Sequence, residues 1–322
     1  MRKGIAVLGT LLVDKINVIN AYPRVGNLTK ILSVEMSTGG NIPNVGIDLK
    51  KICPDLPVYA IGKVGADADG EFLTKTLSEN GLDVSGVTIS KTQNTSFTDV
   101  MSVYGGERTF FTYMGACAEF GADDVDFTTL NAKMLHLGYF LLLDKIDSGD
   151  GEKILKKASE LGIKTSIDLV SENSDRYKIV IPCLKYTDNL IVNEIEASKI
   201  AEIEYNGNNL FDIAKKLLYY GVRERVIIHL PSLAVCLNKN GEFAVVPSLD
   251  IPKDFIKGST GAGDAFCAGA LFGIYNGYSD KEILEFASMS AGVSLRTVDA
   301  VSGLASKEEI LNICKGFKRK EI

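Results

Sequence analysis

Residues 258–269 read GSTGAGDAFCAG, an order that could do chemistry. Gly261, Ala262 and Gly263 carry minimal side chains, Asp264 follows at once, and an apolar run from Ala265 to Tyr275 has small residues at Ala268, Gly269 and Ala270. A glycine-rich turn feeding such a run predicts a buried helix, with Thr260 as its N-cap. A helix start leaves backbone N–H groups unpaired and carries partial positive charge, so small residues there let an anion come close. A carboxylate beside an anion site repels phosphate. The placement makes sense when Asp264 takes a proton from a hydroxyl that attacks a phosphoryl group. The alternative is a glycine-rich turn packed on a neighbour, with Asp264 serving only the helix start.

Two further stretches carry polar groups at helix starts. Gly39-Gly40 opens a helix with apolar positions at Val45, Leu49 and Ile52, and Pro43 is tolerated in its first turn. Asn41 and Asn44 then sit at that start, and capping accounts for one asparagine but not both. Asn193-Glu-Ile-Glu196 follows a strand directly, where Asn193 caps the next helix and Glu196 falls in its first turn. Asp14 follows the first strand, and alone it says little.

The elements that must position these residues read as alternating strands and helices. Residues 5–8 form a continuous apolar run closed by Gly9, which suits a parallel strand buried on both faces. Residues 58–64 give a second such strand, and a helix follows the turn at 65–70, where Asp67 and Asp69 lack an EF-hand pattern. Later strands fall at 134–137, 165–169, 189–192 and 225–230, with helices near 149–161, 193–201 and 209–220. That order predicts an α/β fold: a mostly parallel central sheet with helices on both faces and ligands at the C-terminal strand ends. Residues 15–19, 31–36, 95–103 and 108–113 instead alternate polar and apolar, the mark of strands with one wet face. They make a separate small sheet, with Gly105-Gly106 at a turn. Arg108 on this sheet could hold a substrate hydroxyl or carboxylate, or be an ordinary surface arginine.

Residues 260–264, Phe266 and Gly269 resemble the C-terminal motif of the ribokinase-like (PfkB-type) carbohydrate kinases, Asp-Thr-x-Gly-Ala-Gly-Asp-x-Phe-x-x-Gly, with Gly258 where the family has Asp. Gly39-Gly40 with the asparagines after it is similar to the family's Gly-Gly-x-x-x-Asn motif, and Asn193 with Glu196 to its Asn-x-x-Glu. The resemblance implies one catalytic domain over residues 1–322, with a β-sheet lid formed by about 12–37 and 95–114. It implies ATP-dependent phosphorylation of a sugar hydroxyl, with Asp264 as the base and the N–H groups of Gly261, Ala262 and Gly263 holding the developing charge. It gives Asp14, Gly39, Gly40, Asn41 and Asn44 to the sugar, and Asn193, Glu196, Thr260, Gly261, Gly263 and Ser302 to the nucleotide. Glu196 is to help place Mg²⁺ through water. Family members often dimerise lid to lid. Gly115-Ala-Cys117 is similar to a substrate loop ending in Asn, and residues 229–234 lack the glycines the family has in its nucleotide loop. With Gly258 in place of Asp, no monovalent-cation requirement is expected.

The 322 residues carry a net charge of −6 without a basic block, so no nucleic-acid partner is expected. Six widely spaced cysteines form no CxxC pair or zinc spacing, which reads as reduced thiols in a cytoplasmic protein. No apolar run is long enough for a bilayer, so no membrane partner is expected. Two other functions stay open: a nucleoside kinase, with Phe97, Phe110, Phe111 and Tyr113 as stacking residues, and a non-catalytic sugar-binding protein on a kinase scaffold.

Overall fold

The computed structural model describes residues 2–103 and 107–321. The expected turn at Gly105-Gly106 lies outside the described residues. The chain begins β1 (Ile5–Leu8), β2 (Leu12–Ile19), β3 (Ile31–Gly39), α1 (Asn41–Ile52), β4 (Val58–Val64), α2 (Ala68–Glu79), β5 (Asp83–Ile89), β6 (Ser96–Val103) and β7 (Arg108–Tyr113). It continues through α3 (Gly115–Ala118), β8 (Met134–Phe140), α4 (Gly151–Glu160), β9 (Lys164–Leu169), α5 (Ile181–Leu184), β10 (Asn189–Asn193), α6 (Glu194–Ala201) and α7 (Leu210–Tyr219). The remainder is β11 (Arg225–His229), β12 (Leu233–Asn238), β13 (Phe243–Pro247), α8 (Ala262–Asn276), α9 (Asp280–Ser294) and α10 (Lys307–Cys314).

Nine strands form one sheet in the order β13-β12-β11-β10-β9-β8-β1-β4-β5. It is parallel from β5 to β11, and β12 and β13 close one edge antiparallel. The expected α/β fold is borne out; the alternating, part-exposed β5 lacks a continuous apolar run, whereas the short apolar runs of β12 and β13 were not singled out as strands. Alternate β1 side chains face opposite cores. Ile5 and Val7 pack with α1, α2, α8, α9 and α10, while Ala6 and Leu8 pack with α4, α5, α6 and α7. Because β1 lies between β4 and β8, the strand order reverses there, and a crevice opens above the strand ends.

The wet-faced segments form a second sheet, β3-β2-β6-β7. Asp14 pairs across it with Ser37 and Thr98. The small residues of α8 have a packing reason: a Cβ on Gly269 would stand 2.9 Å from Ala287 Cα in α9, too close for an unshifted helix pair.

Candidate active site

Asp264 is the third residue of α8 and only 7% exposed. Its Oδ2 accepts from Asn44 Nδ2 at 2.9 Å, and the Tyr139 hydroxyl donates to the carboxylate from 3.0 Å to each oxygen. Burial first, then the neighbouring Asp168 charge, pushes the Asp264 carboxyl from 3.8 to about 7, against the lowering effect of the Asn44 and Tyr139 bonds.

The start of α8 has no side-chain cap. Thr260, expected there, lies one position too early: Gly261 is the cap, with φ 77°. The loop over 299–303 crosses this point, and a Cβ on Gly261 would meet Ala300 O at 2.5 Å, so the left-handed backbone and the close approach both demand glycine. Ala262, expected in the anion cradle, donates its N–H to Ser259 O at 3.2 Å. The N–H groups of Gly261 and Gly263 find no acceptor among the described residues. Gly258 also has a steric reason, since a Cβ there would stand 2.9 Å from Thr297 O.

Asn193 caps α6: its Oδ1 accepts from Ile195 N and Glu196 N at 3.0 and 2.9 Å, and Glu196 Oε2 accepts from Asn193 N at 3.1 Å. Ser171 Oγ donates to Glu196 Oε1 at 2.9 Å. Burial pushes the Glu196 carboxyl from 4.5 up to about 7. A cavity of about 230 Å³ brings Asn193, Glu196, Gly261, Gly263 and Asp264 together, with Tyr139, Asp168, Ser171, His229 and Cys267 in its wall. A larger groove of about 820 Å³ between Tyr177 and Tyr205 holds none of the expected catalytic residues.

The α1 start divides its two asparagines. Asn41 is fully buried and spent on the scaffold, its Oδ1 accepting from Thr10 N at 2.7 Å and its Nδ2 donating to Leu8 O at 2.8 Å. It pins α1 to the end of β1. Asn44, one turn on, reaches Asp264. Gly40 has φ 92°, and a Cβ on Gly39 would stand 2.5 Å from Asp14 Oδ2, so the glycine pair lets the Asp14 carboxylate lie against the backbone. Burial pushes the Asp14 carboxyl from 3.8 to about 6.

Arg108 is not brought to this group. It pairs with Ser102, whereas Asp14 lies level with Thr98, four residues away along β6 and about 13 Å at ~3.3 Å per residue. Ser302 is exposed, its N–H held by Asp299 Oδ1 at 2.7 Å, and it stands outside the cavity wall. Cys117 is buried against the backbone of Leu11.

Tyr139, Asp168 and Ser171 were missed. Tyr139 lies within an apolar run, and no polar spacing marks it. It holds a left-handed φ of 58°, fixed by its N–H donating to Asp168 Oδ1 at 2.7 Å. Such strain costs ~1–3 kcal/mol and persists where the surroundings over-determine it. Asp168 did leave a signal, a carboxylate near the C-terminal end of a buried parallel strand, where ligands collect.

The sequence profile of the pfkB family carbohydrate kinases matches residues 3–307. The chain belongs to the pfkB family of carbohydrate kinases. A ribokinase of Arabidopsis thaliana is 24% identical over 318 residues, covering 97% of this chain and 81% of that protein. A 5-dehydro-2-deoxygluconokinase of Clostridium beijerinckii is 24% identical over 294 residues, covering 88% and 85%. The structure of the Arabidopsis thaliana ribokinase complexed with ribose and ATP superposes with a TM-score of 0.86 at 21% identity, over 98% of this chain and 99% of that one. A nucleoside kinase of Methanocaldococcus jannaschii, an archaeal member of the ribokinase family, gives 0.79 at 17% identity, covering 97% and 98%. This pfkB-family kinase is a phosphotransferase with an alcohol acceptor. No helix among its described residues is long and apolar enough to cross a membrane.

Proposed function

We propose that this kinase transfers the terminal phosphoryl group of ATP to a hydroxyl of a sugar or sugar derivative, with Asp264 as the general base. The observation that carries the reading is the Asp264 carboxylate, buried, aimed by Tyr139 and Asn44, and sharing a cavity with the free N–H groups of Gly261 and Gly263. Asp264 takes the acceptor proton as the oxygen attacks, and the two glycine N–H groups hold the growing negative charge on the phosphoryl oxygens. Asp14 and Asn44 orient the acceptor. Asn44 Oδ1 is buried without a partner among the described residues, and an acceptor hydroxyl would satisfy it. Relatives named ribokinase and 5-dehydro-2-deoxygluconokinase, and a neighbour solved with ribose and ATP, support this acceptor class and this donor.

Mg²⁺ fits the donor set around Glu196, which is all oxygen. Because both Glu196 oxygens already accept from Ser171 and Asn193, contact through water keeps those bonds. When bound, the ion neutralises charge on the nucleotide phosphates. The chain acts as one catalytic unit whose small sheet covers the acceptor. The face of that sheet turned away from Asp14 exposes Val34, Met36 and Phe111, which supports pairing with a second copy.

The deciding experiment measures ADP release with a panel of sugars, sugar acids and nucleosides, first ranked by thermal shift, in wild type and Asp264→Asn. A sugar-dependent wild-type rate that falls about 10²–10⁴-fold in the variant, with acceptor binding kept, is expected. Near-normal turnover in Asp264→Asn refutes the base. A rate seen only with nucleosides moves the acceptor class, and no ADP with any compound leaves a binding protein.

A further inference from the structure

Behind the base, His136 on β8, Asp168 on β9 and Cys267 on α8 turn one ligand atom each toward a common point, and all three residues are buried. His136 Nε2 stands 3.4 Å from Asp168 Oδ2 and 3.5 Å from Cys267 Sγ, and the three atoms lie within 4.8 Å of one another. A hydrogen bond between an imidazolium and a carboxylate closes to about 2.7–2.9 Å, so 3.4 Å is too long for that pair. It is the separation that ligands take around a tetrahedral ion. With metal–nitrogen and metal–oxygen distances of about 2.0–2.2 Å and metal–sulfur of about 2.3 Å, neighbouring ligand atoms stand roughly 3.3–3.6 Å apart.

The groups behind these ligands agree. His136 Nδ1 lies 2.6 Å from Ser166 Oγ, a contact that, with Nδ1 as donor, leaves the Nε2 lone pair facing Asp168 and Cys267. Asp168 Oδ1 is occupied by the N–H of Tyr139 at 2.7 Å, which leaves Oδ2 for the ion. Asp168 and Cys267 both stand in the wall of the catalytic cavity, which gives an ion a way in and leaves the fourth position to water.

We propose that His136, Asp168 and Cys267 form a binding site for a thiophilic divalent ion, with zinc the best match to one nitrogen, one oxygen and one sulfur ligand. Imidazole and thiolate select against Mg²⁺, so this site is separate from the oxygen donors around Glu196. A bound ion ties β8 and β9 to the helix that carries Asp264, so its effect is read in stability and spectroscopy rather than turnover.

The test uses the purified full chain, stripped with a chelator and titrated with ZnCl₂ or CoCl₂. Wild type is expected to retain one zinc per chain after equilibrium dialysis, to melt at a higher temperature with zinc, and to give with Co²⁺ a thiolate charge-transfer band and intense tetrahedral visible bands. Cys267→Ala, a small change beside Ala268, is expected to keep the far-ultraviolet spectrum and melting temperature of the metal-free protein and to lose all three signatures. Asp168→Asn, if it folds, is expected to weaken retention with the thiolate band displaced. Absence of the thiolate band in wild type overturns the proposal, as does equal zinc stabilisation of wild type and Cys267→Ala, which would place zinc on the other thiols.

Discussion

The starts of α6 and α8 face the same cavity, yet they are built in opposite ways. At α6 the protein holds most of the donors: Asn193 takes the N–H groups of Ile195 and Glu196, and Glu196 accepts from the cap N–H. At α8 no side chain caps the helix, Gly261 occupies the cap in a left-handed conformation, and two glycine N–H groups stay open. Both starts carry a carboxylate pushed up to about 7 by burial, but Glu196 is satisfied by Ser171 and backbone whereas Asp264 is held by a tyrosine and an asparagine from other elements. A capped start is a stable wall. An uncapped start is open to a ligand, because its backbone donors have no protein acceptor and carry the partial positive charge of the helix end.

The comparison breaks most sharply at the two carboxylates. Asp264→Asn is expected to lose about 10²–10⁴ in turnover, and Glu196→Gln much less at saturating Mg²⁺, in a coupled ADP assay. Equal losses would erase the distinction between the two starts. The pH profile comes next. Asp264 must be ionised to act, so kcat is expected to fall about tenfold per unit below its value of about 7. Stability runs the other way. A carboxyl whose folded pKa is raised binds more protons folded than unfolded, so its cost to the fold grows between 3.8 and about 7 as pH rises. The melting temperature of Asp264→Asn relative to wild type is expected to climb across that window and then level off. A flat difference would mean that the carboxyl titrates near its ordinary value.

Tyr139→Phe removes one hydrogen bond to a charged group, worth about 1.5–3 kcal/mol, and should lower kcat about ten- to a hundredfold with KM little changed. Its acidic limb should also move to higher pH, since the Tyr139 bond favours the ionised form. Unchanged pH dependence would make the tyrosine mere packing. Asn193→Ala should cost about 1 kcal/mol of stability as a lost cap, seen as a lower melting temperature. The smallest change is Arg108→Ala, expected to leave kcat/KM within about twofold, because the exposed arginine stands far along β7 from Asp14.

Periodicity and punctuation made much of this molecule legible. Apolar runs such as residues 5–8 fixed the parallel strands, since a strand covered on both faces has no wet side to show. Alternation at 15–19 and 31–36 separated the small sheet from the buried one, and residues 31–36 meet water on both faces. The order glycine, alanine, glycine, aspartate left two readings open, an anion site with a carboxylate beside it and a packed turn with a helix-start acid, and the resemblance to the family favoured the first. The roles of Asn41 and Asn44 were not legible. Both are asparagines at one helix start, and only the packing of α1 against β1 and α8 spends Asn41 on Thr10 and Leu8 and turns Asn44 to Asp264. Tyr139 and the His136–Asp168–Cys267 group were hidden for the same reason. Their partners lie far away in sequence, and local pattern records which face a residue takes, not which distant group it meets there. Composition and spacing thus determined the family of folds and the kind of chemistry. Tertiary structure alone decided which polar groups remain unsatisfied, and only those are free to act.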